Sequence, residues 1–147
     1  KALGSGVPVG AFLMTQKVAD NSLVAGDHGS TYGGNPLVGA AITKVFEIFE
    51  KEDLCAHVQK VGAYLETELD KIAAKYDVVE LRRGAGLMQG LVCKEPVAAI
   101  INTALEKGLV LINAGTNIIR FLPPLTITEA DVDRMIAILD ESFAANA

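Results

Sequence analysis

The stretch VVELRRGAGLMQGLVC, residues 78–93, decides how the chain is organised. Residues 78–82 and 87–93 are rich in apolar residues and flank the turn Gly84-Ala85-Gly86, which predicts a β-hairpin or a pair of strands. The longest periodic patterns before this stretch are helical. A domain boundary is therefore predicted between residues 77 and 78.

The hairpin pattern continues toward the end of the sequence. Pro96 suits the first turn of a helix that ends at Gly108, and residues 109–114 and 117–122 flank Gly115-Thr116 as a second hairpin. Thr128 is placed to cap a last helix, with acidic residues in its first turn. The predicted order from residue 78 is therefore β-β-α-β-β-α.

The first half of the sequence predicts mainly helices. Residues 9–15 read as a short buried strand and residues 16–22 as one or two helical turns, followed by a glycine-rich loop over 25–36. Residues 37–49 have helical apolar spacing. A longer helix follows, because its apolar residues step by three or four: Leu54, Val58, Val61, Leu65, Leu69 and Ile72.

Composition restricts the class of protein. The chain has 147 residues, about one domain, of which 50% are hydrophobic and 21% charged, and this apolar balance predicts surface that meets a partner. A net charge of −5 without a basic cluster argues against nucleic-acid binding. Cys55 and Cys93 have no metal-ligand or disulfide spacing, and no apolar run is long enough for a membrane span. We expect a soluble cytoplasmic protein with no metal and reduced thiols.

Two segments have residues suited to anion binding. The loop GDHGSTYGGNP, residues 26–36, combines glycines with the hydroxyls of Ser30 and Thr31 just before a helix, which suits either a phosphate cradle or an ordinary polar loop. Arg120 lies in the otherwise apolar strand IIRFL, residues 118–122, and needs an anionic partner, either in a structural ion pair or in a substrate. Arg82 and Arg83 read as a solvated strand end, although one of them could pair across an oligomer interface.

Three motifs in order resemble the class III pyridoxal-phosphate aminotransferases: KALGSGVPVGA at residues 1–11, HGSTYGGNPL at residues 28–37 and IRFLPPL at residues 119–125. The resemblance runs along the whole chain. It implies the α/β fold of these enzymes, with residues 1–77 as the C-terminal part of the large cofactor-binding domain. Residues 78–147 would form the small C-terminal α+β domain.

The same resemblance assigns roles to individual residues. Lys1 is the catalytic residue that would form a Schiff base with pyridoxal 5′-phosphate and carry a proton during amino transfer. Thr31 would contact the cofactor phosphate from a neighbouring subunit, which implies a homodimer with a shared site, and Ser30 would contact the phosphate or the substrate. Arg120 would receive the substrate α-carboxylate.

Within the family, the nearest resemblance is to the branch that moves the δ-amino group of N-acetylornithine to 2-oxoglutarate in arginine biosynthesis. Ornithine, succinylornithine or 4-aminobutyrate as donor is the alternative, as is a non-catalytic dimerisation domain. The family's phosphate loop, ring-stacking aromatic and pyridine-pairing aspartate are missing from these 147 residues, so we expect an inactive fragment. Ser5 stands where many relatives have glycine.

Overall fold

A computed structural model describes residues 2–147, and the chain divides into two compact units, Lys1–Asp53 and Leu54–Ala147. We call them the N-terminal and the C-terminal unit. Lys1 lies outside the described residues. In chain order the elements are α1 (Gln16–Ala19), α2 (Pro36–Lys51), α3 (Leu54–Lys75), β1 (Val79–Ala85), β2 (Met88–Cys93), α4 (Ala98–Glu106), β3 (Ile112–Ala114), β4 (Ile118–Phe121) and α5 (Glu129–Ala144).

The C-terminal unit is built on one antiparallel sheet with the strand order β1-β2-β4-β3. Both predicted hairpins and the predicted order β-β-α-β-β-α are confirmed. The second hairpin has shorter strands than expected, because residues 109–111 lie outside β3. Pro96 is not in a helical turn: Val97 is the N-cap of α4, so Pro96 precedes the helix.

One sheet face packs against helices. Leu91 of β2 and Ile119 of β4 lie in this core with Leu65 of α3 and Leu139 of α5, and all four side chains are fully buried. The predicted stripe of α3 is confirmed, since Leu54, Val61, Leu65, Leu69 and Ile72 are buried. Cys93 is also in the core, where burial raises the pKa of its thiol, whereas Cys55 is exposed, and both are free.

Caps fix the ends of the C-terminal helices. At α5 the Thr128 hydroxyl accepts from the backbone N–H of Asp131, and the Asp131 carboxylate accepts from the backbone N–H of Thr128. The Asp131 carboxylate also accepts from the Thr128 hydroxyl, and this bond, the bond from the Thr128 backbone N–H and the bond from Arg134 lower the pKa of Asp131 to about 2. At the end of α4, Gly108 has φ +90°, which confirms the predicted glycine cap.

The N-terminal unit has little buried surface. Among residues 2–53 only Gly4 is buried, and the predicted strand over residues 9–15 is wrong: no strand lies in residues 2–53. A strand needs a neighbour for its N–H and C=O groups, and residues 9–15 have none in this unit. Helix α1 is a single turn capped by Thr15, shorter than the predicted 16–22.

The division into units differs from the predicted domain boundary in where it places α3. Helix α3 belongs to the C-terminal unit, because its buried stripe packs against the sheet and α5. The boundary at residues 77/78 concerns the domains of a complete enzyme, and it stays a prediction.

Candidate functional site

Arg120 is placed on the sheet face that the helices do not cover. In β4, Ile119 and Phe121 point into the core, so the intervening Arg120 points the other way and is half-buried. Its Nε is buried and has no hydrogen-bond partner. Within residues 2–147 no carboxylate forms an ion pair with Arg120, so the expected structural ion pair is not found there. A buried unsatisfied guanidinium nitrogen is a position where an anionic ligand gains a strong, charge-assisted hydrogen bond.

Arg120 borders two cavities in the C-terminal unit. The larger, of about 410 Å³, is walled mostly by apolar residues of the IRFLPPL motif and of β3 and α5, including Ile112, Leu122, Pro123 and Met135, and also by Asp131 of α5. The other, of about 340 Å³, lies along the open face between β1 and β3. Apolar walls around a cation weaken solvent screening and strengthen its attraction to a carboxylate.

A third cavity, of about 400 Å³, lies within the N-terminal unit and joins the first two motifs. Its lining comes from residues 8–10 of the first motif and from the loop of the second, including His28, Ser30 and Asn35. Ser30 therefore lines a cavity, and its contact with a phosphate or a substrate stays a prediction. Thr31 is exposed beside it but does not line this cavity, and Lys1 lies outside the described residues.

Local contacts hold the loop of the second motif at the start of α2. The Asn35 side chain accepts from the N–H of Val38 and donates to the carbonyl of Tyr32, so the loop ends in a fixed N-cap. A Cβ at Gly33 would lie 2.9 Å from the Cβ of Ser30, so the turn requires glycine there. Neither the Ser30 nor the Thr31 hydroxyl bonds to another described residue, which leaves both available to accept or donate.

The first motif has a related backbone requirement. Ser5 has φ +47°, in the left-handed region that favours glycine. Glycine would adopt this conformation without the strain that a Cβ introduces. A Cβ at Gly4 would lie 2.6 Å from the Val7 side chain, so the turn closes tightly around Gly4.

The sequence did not predict the contacts that two residues of the C-terminal unit form. Arg82 is not a solvated strand end: its guanidinium bonds to Glu66 and to Asp70 of α3, with Nε 2.6 Å from Asp70 Oδ1, and to Gln89 Oε1. Hydrogen bonding by Asp70 raises the pKa of Arg82. His57 donates its Nε2–H to the carbonyl of Ile127 at 2.9 Å, which joins α3 to the loop before α5. Both roles depend on contacts between distant residues, which helical spacing does not show.

Neither a metal site nor a membrane span is found in the described part of the chain. Within residues 2–147, no group of three or more His, Cys, Asp or Glu side chains is arranged to hold a metal ion. None of the helices there combines the length and the hydropathy needed to cross a bilayer.

Comparison with known proteins gives consistent matches. The family model of class III aminotransferases matches residues 1–143. The acetylornithine aminotransferase of Gloeobacter violaceus is 45% identical over 98% of this chain, and that of Clostridium acetobutylicum is 43% identical over 97%. This chain covers only 36% and 37% of those two relatives.

Solved structures agree in fold. The lysine aminotransferase of M. tuberculosis, in its internal aldimine form, superposes with a TM-score of 0.80 at 30% identity, over 89% of this chain and 31% of that one. The acetylornithine aminotransferase of Elizabethkingia anophelis gives 0.76 at 30% identity, over 84% and 32%. The fold is thus that of the C-terminal part of the pyridoxal-phosphate transferases, and the chain belongs to the class III aminotransferase family.

Proposed function

We propose that this chain is the C-terminal part of a pyridoxal 5′-phosphate-dependent aminotransferase that transfers the δ-amino group of N-acetylornithine to 2-oxoglutarate. The observation that carries the proposal is Arg120, whose half-buried guanidinium has no carboxylate partner among residues 2–147. The similarity to two acetylornithine aminotransferases supports the choice of donor. This reaction would place the enzyme in arginine biosynthesis.

Arg120 would bind the α-carboxylate of the substrate. Two parallel N–H···O bonds from a planar guanidinium fix both the position and the orientation of a carboxylate. That orientation fixes the position of the substrate carbon that bears the transferred amino group relative to the proton-accepting group. A lysine at position 120 would keep the charge but lose the two-point geometry, so its main effect falls on substrate binding.

The residues of the first two motifs fit the cofactor. Ser30 and Thr31 offer free hydroxyls beside the N-terminus of α2, a donor set that suits a phosphate group. Thr31 would hold the phosphate of a cofactor bound to the neighbouring subunit, and Ser30 would contact the phosphate or the substrate. When bound, pyridoxal phosphate supplies an electron-withdrawing ring. Lys1 would hold the cofactor covalently and move a proton at the substrate carbon that bears the transferred amino group.

Sharing of Thr31 between subunits makes a homodimer part of the proposal, and we propose that the enzyme acts in the cytoplasm. The exposed apolar residues of α2 support an interface, since Leu37 and Phe46 are 76% and 55% exposed.

The first experiment uses the complete polypeptide that carries this chain. Amino transfer to 2-oxoglutarate is measured with N-acetylornithine, ornithine, succinylornithine and 4-aminobutyrate as donors. We expect the highest kcat/KM with N-acetylornithine. A higher kcat/KM with another donor would replace the proposed substrate, and no transfer with any donor, together with no cofactor absorbance, would favour the non-catalytic dimerisation domain.

Two further measurements test the residues. Borohydride reduction and peptide mapping should find the cofactor mass on Lys1. Arg120→Lys should raise the KM for the donor about tenfold or more, the fold-change expected from a lost charge-assisted contact. Arg134→Lys, on an exposed face of α5, is the control and should leave the KM unchanged. An unmodified Lys1, or an unchanged KM in Arg120→Lys, contradicts the assignment.

Residues 1–147 expressed alone should show no amino transfer. The family's phosphate loop, ring-stacking aromatic and pyridine-pairing aspartate are not in this sequence, and without that aspartate the ring withdraws electrons poorly. Turnover of N-acetylornithine by the 147-residue chain would contradict this expectation.

A further inference from the structure

The loop that follows Arg120 has few hydrogen bonds of its own. Residues 122–127, which we call the proline loop, join β4 to the N-cap of α5. Among residues 2–147, the only backbone–backbone hydrogen bond of this loop runs from the Ile127 N–H to the Pro124 carbonyl, at 3.1 Å. Pro123 and Pro124 have no N–H to donate. The conformation of the proline loop therefore depends on contacts with other parts of the C-terminal unit.

His57 of α3 supplies one of these contacts. Its Nε2 lies 2.9 Å from the carbonyl oxygen of Ile127, and because a carbonyl oxygen only accepts, Nε2 carries the hydrogen. Within residues 2–147, no other side chain forms a hydrogen bond to the backbone of the proline loop. Leu54 and Val61, on either side of His57 in α3, are buried, so the donor belongs to a firmly packed part of the helix.

The proline loop forms one side of a cavity that Arg120 also lines. Leu122, Pro123, Pro124 and Ile127 all border the cavity of about 410 Å³. The position of the loop therefore determines the shape of the space beside Arg120.

The two prolines make this loop a stiff connection between Ile127 and Arg120. A proline ring fixes φ at about −65°, and it also restricts the residue before it. Both effects together limit Leu122, Pro123 and Pro124, which are consecutive. A shift of Ile127 is therefore transmitted to the end of β4, where Arg120 lies, because the intervening residues rotate little.

We propose that His57 is a positioning residue for substrate binding: its hydrogen bond to the Ile127 carbonyl holds the proline loop on α3 and thereby keeps Arg120 and the adjoining cavity wall in the geometry that binds a substrate carboxylate. The inference rests on the proposed function and deepens it. His57 does not line the cavity itself, so it acts through the loop. Its loss should weaken substrate binding and leave the chemical step unchanged.

The test uses the complete enzyme with His57→Leu and His57→Gln. Leucine removes the hydrogen-bond donor, whereas the glutamine amide keeps an N–H that can reach the same carbonyl. In His57→Leu we expect the KM that rises in Arg120→Lys to rise about threefold or more, with kcat changed by less than about twofold, as for the loss of one neutral hydrogen bond. His57→Gln should restore this KM to within about twofold of the unchanged enzyme.

Tyr64→Phe is the matched control. Tyr64 is also on α3, and its hydroxyl donates to Asp133 of α5 at 2.5 Å, so the variant removes one side-chain hydrogen bond without touching the proline loop. Both KM values should stay within about twofold of those of the unchanged enzyme. Equal increases in Tyr64→Phe and His57→Leu would indicate a general loss of stability and overturn the inference. A KM in His57→Gln as high as in His57→Leu would also overturn it, because the hydrogen bond would then not be the cause.

Hydrogen exchange measures the loop directly. The Ile127 amide is protected by its bond to the Pro124 carbonyl. We expect this amide to exchange about threefold faster or more in His57→Leu, and at an unchanged rate in Tyr64→Phe. Equal exchange in His57→Leu and in the unchanged enzyme would show that the loop does not depend on His57, which overturns the inference.

The two proposals fail separately. Glutarate, which has no amino or oxo group to react, is titrated against each variant by calorimetry. Amino transfer in the unchanged enzyme, with KM values and glutarate binding that do not respond to His57→Leu, overturns the positioning role and leaves the proposed function intact. Glutarate binding that is weakened by both Arg120→Lys and His57→Leu, without amino transfer from any donor, supports the positioning role and overturns the proposed function.

Discussion

Helices α2 and α3 both carry apolar residues at helical spacing, yet they differ completely in burial. Helix α3 buries six residues, whereas α2, of 16 residues, buries none. The stripe of α3 meets the sheet and α5 within its own unit. An apolar stripe therefore predicts that a helix has a surface to bury, but not whether the same stretch of chain supplies the cover.

The largest expected difference between the two units is in independent folding. Residues 54–147 contain every residue of the hydrophobic core, so this segment alone should unfold in one cooperative thermal transition. Residues 1–53 alone should show none, because burial among the described residues 2–53 is limited to Gly4. Circular dichroism of the two peptides checks both expectations. A cooperative transition in residues 1–53 would show that the N-terminal unit has a core of its own.

The next contrast compares one leucine from each helix. Leu65→Ala should destabilise the chain by about 2–5 kcal/mol, because Leu65 is fully buried in the core. Leu37→Ala removes the same atoms from a side chain that is 76% exposed, and it should change the free energy of unfolding by less than about 0.5 kcal/mol. Urea denaturation measures both. Equal effects would contradict the difference in burial.

Two glycines sharpen the comparison at smaller scale. A Cβ at Gly62 of α3 would lie 2.9 Å from the backbone of Gly86, so Gly62→Ala should destabilise the C-terminal unit by about 1–3 kcal/mol. Gly39 of α2 faces open space, and Gly39→Ala should favour helix by up to about 1 kcal/mol. We expect Gly62→Ala to lower the free energy of unfolding, which urea denaturation measures. We expect Gly39→Ala to increase the helical circular dichroism signal. A stabilising Gly62→Ala would mean that α3 can move away from the β1–β2 turn.

The smallest expected effect is the loss of stability at low pH. The pKa of Asp131 is lowered to about 2 by its bonds to Thr128 and by Arg134, so folding favours the ionised carboxylate. Its contribution to stability is present above the unfolded pKa of about 3.9 and is lost as the pH falls toward 2. Asp131→Asn should lower the urea midpoint at pH 7 and leave little difference from the unchanged chain at pH 2. A difference in urea midpoint of the same size at pH 7 and at pH 2 would show that ionisation of Asp131 does not contribute to stability.

Local chemistry made most of the C-terminal unit predictable. The turn at Gly115 adopts φ +68°, the Thr128 cap forms as its spacing indicates, and the apolar steps of α3 are buried. Each of these signals acts over four or fewer residues. The strand expected over residues 9–15 failed because a strand depends on a partner that spacing within one segment does not reveal.

The candidate site was predictable only in part. Arg120 was identifiable as a charge in an apolar strand, and the hydroxyls of Ser30 and Thr31 as candidate anion ligands before a helix, a role that stays a prediction. Arg83 is paired in register with Gly90, and Gly90 with Arg120, so both arginines extend from one face of the sheet; this depends on the register of three strands, and β4 reaches β2 across the intervening α4. Arg82 and Arg83 are adjacent and chemically identical, and the alternation of β1 places them on opposite faces of the sheet, where Arg82 forms its ion pairs with Glu66 and Asp70.

The strand order also affects how the chain is made. During synthesis the β1–β2 hairpin leaves the ribosome before β4, the strand that will lie beside β2. Until about 25 further residues are translated, the N–H and C=O groups along that side of β2 have no partner and can pair with another nascent chain. We therefore expect slow translation through α4 to favour aggregation, and chaperone binding to matter most at this stage of synthesis.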